Sequence, residues 1–250
     1  MSRVEKLDQL IADQLQAALP SVVIGRQIVV LEQTASTNDA IFQVAFPQGA
    51  AVTSLPAVAS AKEGPSLGDE GLVLFAEHQT AGRGQRGNRW ESTAGKGLWF
   101  SILLRPEIQL SDSGRLTIWA IEAISDVIRI EFGLEPAIKL PNDVQLNEQK
   151  VAGVLVEMRA QNNAPHLAVI GIGINVNQCR DDFPAEVQDR AISLAMALGR
   201  QVDRQNFAVA LLRNLDLTYR EKFSKAVAAF NSSPARPATR GTRSAKSPMV

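Results

Sequence analysis

The stretch 137–177 constrains this chain more than any other. Three strand-like runs, 137–140, 143–147 and 150–159, follow one another, and "HLAVIGIGINVN" (166–177) adds a further buried strand. The second and third runs are separated by the turn-like "EQ" (148–149), so they are expected to form a hairpin. Upstream, strands are expected at 28–33, 71–79 and 97–106, and short and long helices at 39–46 and 111–133. In the long helix Leu116, Trp119, Ala120, Ala123, Ile124, Val127 and Ile128 share one face. A last helix is expected over roughly 203–224, and a first one from a Ser2–Glu5 capping box through Leu7, Leu10, Ile11, Leu15 and Ala18, closed by Pro20. Strands in succession, with helices grouped at a few places, imply an α+β fold rather than alternating βαβ units.

Two segments stand apart. Residues 47–70 are rich in Ala, Pro, Ser and Gly and read as a mobile surface insertion. Residues 231–250 hold four basic residues, no acids and three prolines, and read as a disordered basic tail that cannot bury a core. Lys+Arg and Asp+Glu both number 26, so bulk charge gives no reason to coat nucleic acid or membrane. The single Cys179 excludes an internal disulfide framework and a Cys-based zinc site. No apolar run approaches the ~20 residues of a membrane span, and the N-terminus lacks a signal-peptide apolar core, so a cytoplasmic location is expected.

"TAGRGQRGNRW" (80–90) contains a literal G-x-G-x-x-G from Gly82 to Gly87. A dinucleotide turn needs a helix straight after it. Here "NRWESTAGKG" breaks at Gly95 and Gly97 and runs into a strand, so that reading fails; the phosphate-loop pattern fails too, because Gly97 stands where Ser or Thr is required. What remains is a flexible cationic loop. Its arginines offer forked donors for carboxylate or phosphate, and Trp90 offers a flat face for a heterocycle. Other polar groups sit at element ends: "STN" (36–38) between a strand and a helix, "IKLPNDV" (138–144) at a strand end, Lys150 opening "KVAGVLVE" (150–157), and two asparagines closing "GIGINVN" (171–177). Each has a plain structural reading. Ser36 and Thr37 suit helix caps, Lys150 an edge-strand lysine, Trp90 the core, Asn175 a buried backbone partner and Asp143 a turn.

Taken in order, "ASTND", "EHQTAGRGQRGNRW", "IKLPND", "KVAGVLVE" and "GIGIN" resemble biotin–protein ligase over about residues 29–225. The resemblance implies a mixed, mostly antiparallel sheet with helices packed on it, like the catalytic domain of class II aminoacyl-tRNA synthetases, spanning residues 1–230. It implies that ATP, with Mg2+, activates biotin to biotinyl-5'-adenylate, and that biotin then passes to a lysine of a biotin carboxyl carrier protein or domain. By the same resemblance Ser36, Thr37 and Asn38 contact the biotin rings and Gln79 the ureido group. Arg83, Gly84 and Gln85 belong to the loop that closes over biotin and adenylate. Trp90 lies against adenine, and Lys150 contacts the biotin carboxylate and the α-phosphate. Asn142 and Asn175 line the nucleotide side, with Asp143 near magnesium. Lys150 and Arg83 are the implied catalytic pair, because both reactants are anions whose repulsion must be neutralised.

The chain departs from the family pattern in three places. The first core strand opens near Ile28, leaving no room for a winged helix, so no DNA-binding role is expected. Leu140 stands where the family has Trp. The usual SH3-like C-terminal domain is not visible. A homodimer is among the expected assemblies. The rival readings are a lipoate or octanoate protein ligase or transferase of the same fold, and a catalytically weakened biotin-binding protein.

Overall fold

The computed structural model describes residues 8–20, 23–45, 69–161 and 165–223. The Ser2–Glu5 capping box, Leu7, most of the 47–70 insertion and the 231–250 tail lie outside the described residues. Twelve elements follow in order: α1 (Ala12–Ala18), β1 (Gln27–Thr34), α2 (Thr37–Ala45), β2 (Leu72–Gln79), β3 (Gly97–Leu104), α3 (Ser113–Phe132), β4 (Ala137–Lys139), β5 (Asp143–Leu146), β6 (Gln149–Arg159), β7 (Leu167–Asn175), α4 (Leu194–Leu198) and α5 (Arg204–Phe223). Single 3-10 turns at Gln85–Gly87, Leu110–Asp112 and Arg180–Asp182 punctuate the loops.

All seven strands join one sheet in the order β1-β2-β3-β7-β6-β5-β4. Only β1 and β2 run parallel; the other pairs are antiparallel. The fold is therefore α+β with a mixed sheet, as the strand succession implies.

β3 is buried at every position because both faces of the sheet are covered there. Alternate side chains of a strand point to opposite faces. Val73, Phe75, Leu98, Phe100 and Ile102 join the larger core with α3 and α5. Leu72, Leu74, Ala76 and Leu103 join a smaller one with Ile41 and Phe42 of α2. α3 buries all seven residues of its expected apolar face and ends at Gly133, whose φ of 65° places it in the left-handed region.

Three expectations need correction. The first helix starts at Ala12, with Ile11 as an N-cap that makes no side-chain hydrogen bond; Leu10 is already buried ahead of it. The hairpin turn is Asn147-Glu148, one residue earlier than "EQ", with φ of 50° and 65°. Positive φ at both central residues is the type I′ form of the two-residue hairpin, whose twist matches that of the strands. Glu70, which leads into β2, is held by its side chain: Oε1 accepts from Arg105 N (2.9 Å) and from the Tyr219 hydroxyl (2.7 Å). Lastly, β6 is an interior strand, so Lys150 is no edge lysine. The strand start is held from outside the sheet as well, by Lys150 N to Arg190 O (2.7 Å) and Ile192 N to Lys150 O (3.0 Å).

Sequence reading missed α4, although Ser193 caps its N-terminus by accepting from Met196 N (3.1 Å) and Gly199 closes it at φ 69°. Among the described residues no helix is long and apolar enough to cross a membrane.

Candidate active site

On the α2 side of β7, Leu167 and Val169 lie beneath the helix. The next two residues with that orientation are Gly171 and Gly173. Gly153 of β6 pairs with Gly173. Side chains are thus missing from a patch of sheet, and two polar side chains fill the space. A Cβ on Gly171 would stand 2.3 Å from Asn38 Oδ1; one on Gly173 would stand 2.5 Å from Trp90 Cε2, and one on Gly153 2.9 Å from Trp90 Cζ3. Glycine is required here by close approach rather than by turning.

The result is a cleft with about 430 Å3 of empty space, mouth included, floored by Gly153, Gly171 and Gly173. Its walls include Ser36, Thr37, Asn38, Gln79, Arg83, Gly84, Trp90, Asn142 and Lys150. Three of the expected site residues lie off the lining. Gln85 sits in the 3-10 turn of the loop. Asp143 stands behind Lys150, with Oδ1 2.6 Å from Nζ. Asn175 is buried and donates to Lys150 O (3.3 Å) and Ile192 O (3.1 Å), which anchors the strand that carries Lys150.

The polar end of the cleft is preorganised. Gln79 Oε1 accepts from Thr37 N (2.9 Å) and Thr37 Oγ1 (3.2 Å), while its Nε2 donates to Ser92 Oγ (3.2 Å). The Ser101 hydroxyl donates to Asn38 Oδ1 (2.6 Å) and also meets Thr37 Oγ1 (2.7 Å). Ser36, Thr37 and Asn38 are all buried. The only sequence signal for Ser101 is a hydroxyl within the otherwise apolar "GLWFSILL".

The 82–90 loop is a small hairpin, closed by Trp90 N to Gly82 O (2.9 Å) and Gly84 N to Asn88 O (2.7 Å). Arg83 forks onto Glu157, with Nη1 2.9 Å from Oε1 and Nη2 2.7 Å from Oε2, and Nη2 also reaches Asp39 Oδ1 at 2.8 Å. Burial works against the guanidinium charge, but the Glu157 hydrogen bonds and the two carboxylates outweigh it and hold Arg83 still more firmly protonated. At the opposite side Lys150 Nζ stands 5.1 Å from the centroid of the Trp90 ring, within cation–π range. The cleft thus offers a polar socket, a flat aromatic face and two cations. It suits an anion joined to a planar ring.

Beyond Trp90, Lys96 Nζ grips Asp182, 2.7 Å from Oδ1. Burial pushes the Asp182 carboxyl up, yet hydrogen bonds from Lys96 and from the thiol and N–H of Cys179 bring it below its ordinary 3.8. A lowered carboxyl stabilises the fold above its unfolded value and loses that contribution as pH falls through the folded value. Asp182→Asn is therefore expected to melt lower than the parent at neutral pH, with the gap closing below about pH 4. Melting curves from pH 7 to pH 2.5 check this; a gap that stays constant would show that the Lys96–Asp182 pair gives no pH-dependent stability.

Residues 54–175 match the family model described as Biotin/lipoate A/B protein ligase family. The chain is 41% identical over 152 residues to the bifunctional ligase/repressor BirA of Bacillus subtilis (strain 168), an alignment that covers 61% of this chain and 47% of that protein. It is 34% identical over 195 residues to the biotin–[acetyl-CoA-carboxylase] ligase of Mycobacterium tuberculosis, covering 76% of this chain and 63% of that one. Among solved structures, biotin protein ligase from Aquifex aeolicus in complex with biotin and ATP superposes with a TM-score of 0.60 at 28% identity, over 81% of this chain and 74% of that one. The chain spans about half the length of the two Bacillus relatives it matches.

Proposed function

We propose that this chain, whose residues 54–175 match the biotin/lipoate A/B protein ligase family model, condenses biotin with ATP to biotinyl-5'-adenylate and pyrophosphate and passes the biotinyl group to a lysine of a biotin carboxyl carrier domain. The observation that carries this reading is the single glycine-floored cleft that gathers Ser36–Asn38, Gln79, Trp90 and Lys150. The Aquifex relative has been solved with biotin and ATP, and the Mycobacterium relative is named a biotin–[acetyl-CoA-carboxylase] ligase.

The roles follow from chemistry. The biotin carboxylate must attack the α-phosphorus of ATP, and both partners are anions. Lys150 stands where an ammonium can lower that repulsion and stabilise the charge that develops on the phosphoryl oxygens. The Trp90 face suits adenine. The buried amides and hydroxyls of Thr37, Asn38 and Gln79 suit a ureido ring, whose N–H and C=O groups need partners once water is excluded. In the second step the carrier lysine attacks the acyl carbon and AMP leaves, so the enzyme needs no nucleophile of its own. Magnesium would arrive with the phosphates of ATP, with Asp143 as the nearby protein carboxylate. Among the described residues no group of three or more His, Cys, Asp or Glu is placed to hold a metal, and Mg2+ commonly takes only one or two carboxylates beside phosphate oxygens. The homodimer and the cytoplasmic location belong to the same proposal.

A lipoate or octanoate enzyme of this fold needs a long apolar channel for its acyl chain. The polar end of this cleft argues for the bicyclic ligand instead. Pyrophosphate release with Mg-ATP and either biotin or lipoate tests the assignment. Release with biotin alone is expected. Release with lipoate alone would transfer the assignment to the rival enzyme, and biotin binding without release would identify a binding protein.

A further inference from the structure

We infer that Glu157 is a positioning residue that clamps the 82–90 loop over the cleft and orients Asn38 in its wall at the same time. The inference extends the proposed function by naming what holds the lid before any ligand arrives.

Glu157 belongs to β6 and Asn38 to α2, while Arg83 sits in a loop between β2 and β3. One carboxylate joins all three. Its Oε1 takes Arg83 Nη1 at 2.9 Å; its Oε2 takes both Arg83 Nη2 at 2.7 Å and Asn38 Nδ2 at 2.7 Å. Asn38 is in turn fixed at its other end by Ser101 and stands against Gly171. A change at Glu157 is therefore transmitted to the loop and to the Asn38 wall together.

An exposed ion pair is ordinarily worth little. This one differs in geometry. The Arg83 fork is bidentate, which fixes its plane, and the carboxylate is more enclosed than a surface partner, at 29% side-chain exposure against 50% for Asp39. Asp39 adds only a single contact to the same Nη2. Glu157 thus dominates the clamp and Asp39 assists it.

Arg83 also lines the cleft. Arg83 carries two carboxylates where Lys150 carries one, Asp143, so an incoming anion meets less compensated charge at Lys150. Glu157 holds Arg83 in the pose that closes the loop.

The test needs no assumption about the ligand. Hydrogen exchange of amides 82–90 in the ligand-free chain is compared for the parent, Glu157→Gln, Asp39→Asn, Arg83→Ala and Arg83→Ala/Glu157→Gln. Glu157→Gln keeps the shape and removes the charge. It is expected to speed exchange in this loop by about tenfold, the usual cost of a lost charge-assisted hydrogen bond, with Asp39→Asn giving less. Glu157→Gln is expected to add nothing in the Arg83→Ala background, since the two act as one unit. Equal effects of Glu157→Gln with and without Arg83, or no change in loop exchange, would overturn the inference. General exchange across β2 and β3 in Glu157→Gln would likewise overturn it, by showing a purely structural role. Biotin affinity measured in parallel is expected to fall about tenfold in Glu157→Gln. Failure of the parent to bind biotin would refute the proposed function, while the loop exchange would still decide the role of Glu157.

Discussion

Lys150→Ala is expected to slow pyrophosphate release from biotin and Mg-ATP by about 10²- to 10³-fold, the usual effect of removing one donor from a developing oxyanion. The position supports so large an effect. Lys150 opens an interior strand whose start is fixed by its own backbone bonds to Arg190 and Ile192 and by Asn175. The backbone is therefore expected to hold its place when the side chain is cut. The Nζ group faces the cleft between Asp143 and the Trp90 ring, and the side chain is one-third exposed. Cutting the side chain leaves the buried Asp143 Oδ1 without its cation, so the stability cost is expected to exceed the ~0–1 kcal/mol of an exposed pair, and about 1 kcal/mol moves the melting point of a chain this size by about 2–4 °C. The assay is therefore run well below the variant's own melting point. Steady-state pyrophosphate assays beside thermal melts check the prediction; parent-like release from Lys150→Ala would sink the assigned role. Lys150→Arg keeps the charge but spreads it over a planar fork, so it is expected to recover only part of the rate.

Gly173→Val is the second large effect. The new Cβ would lie 2.5 Å from Trp90 Cε2, nearer than packed atoms can approach. Either the strand or the ring must move. β7 is paired along its length with β3 on one side and β6 on the other, so the indole is the part expected to leave. Overpacking of this kind costs about 1–3 kcal/mol. Loss of one aromatic stacking face weakens nucleotide binding by about 1–3 kcal/mol. The expected result is a Michaelis constant for ATP raised about tenfold or more, with a smaller change for biotin, whose polar socket lies around Gly171 and α2. Kinetics with each substrate varied in turn measure the split. Equal losses for both substrates would mean that Trp90 supports the whole cleft rather than one end of it.

Much of this was open to sequence reading because local pattern and burial agree. The apolar stripe of α3, the runs of β2 and β3 and the crowded strands after residue 137 each record a face that must leave water. Their order argues against a sheet built throughout from alternating βαβ units, and only β1-α2-β2 has that parallel form. The resemblance carried by five separated motifs likewise assigns Ser36–Asn38, Gln79, Arg83, Trp90, Asn142 and Lys150 to one site, and all of these line the cleft, whereas Gln85, Asp143 and Asn175, assigned with them, do not.

Other features are invisible in a linear chain because they depend on partners distant in sequence. Glu157 closes "KVAGVLVE" as an ordinary strand carboxylate; its significance comes from Arg83, 74 residues earlier, and Asn38, 119 residues earlier. Ser101 matters only because α2 crosses β3 at that point. Asn175 ends "GIGIN" like a ligand-facing amide, yet its donors go to the backbone carbonyls of Lys150 and Ile192. Sequence fixes which groups exist and which face of an element they occupy. Whether a polar group serves a ligand or another part of the chain is decided by which partner reaches it first as the sheet and helices pack, since a buried donor or acceptor must be satisfied by something.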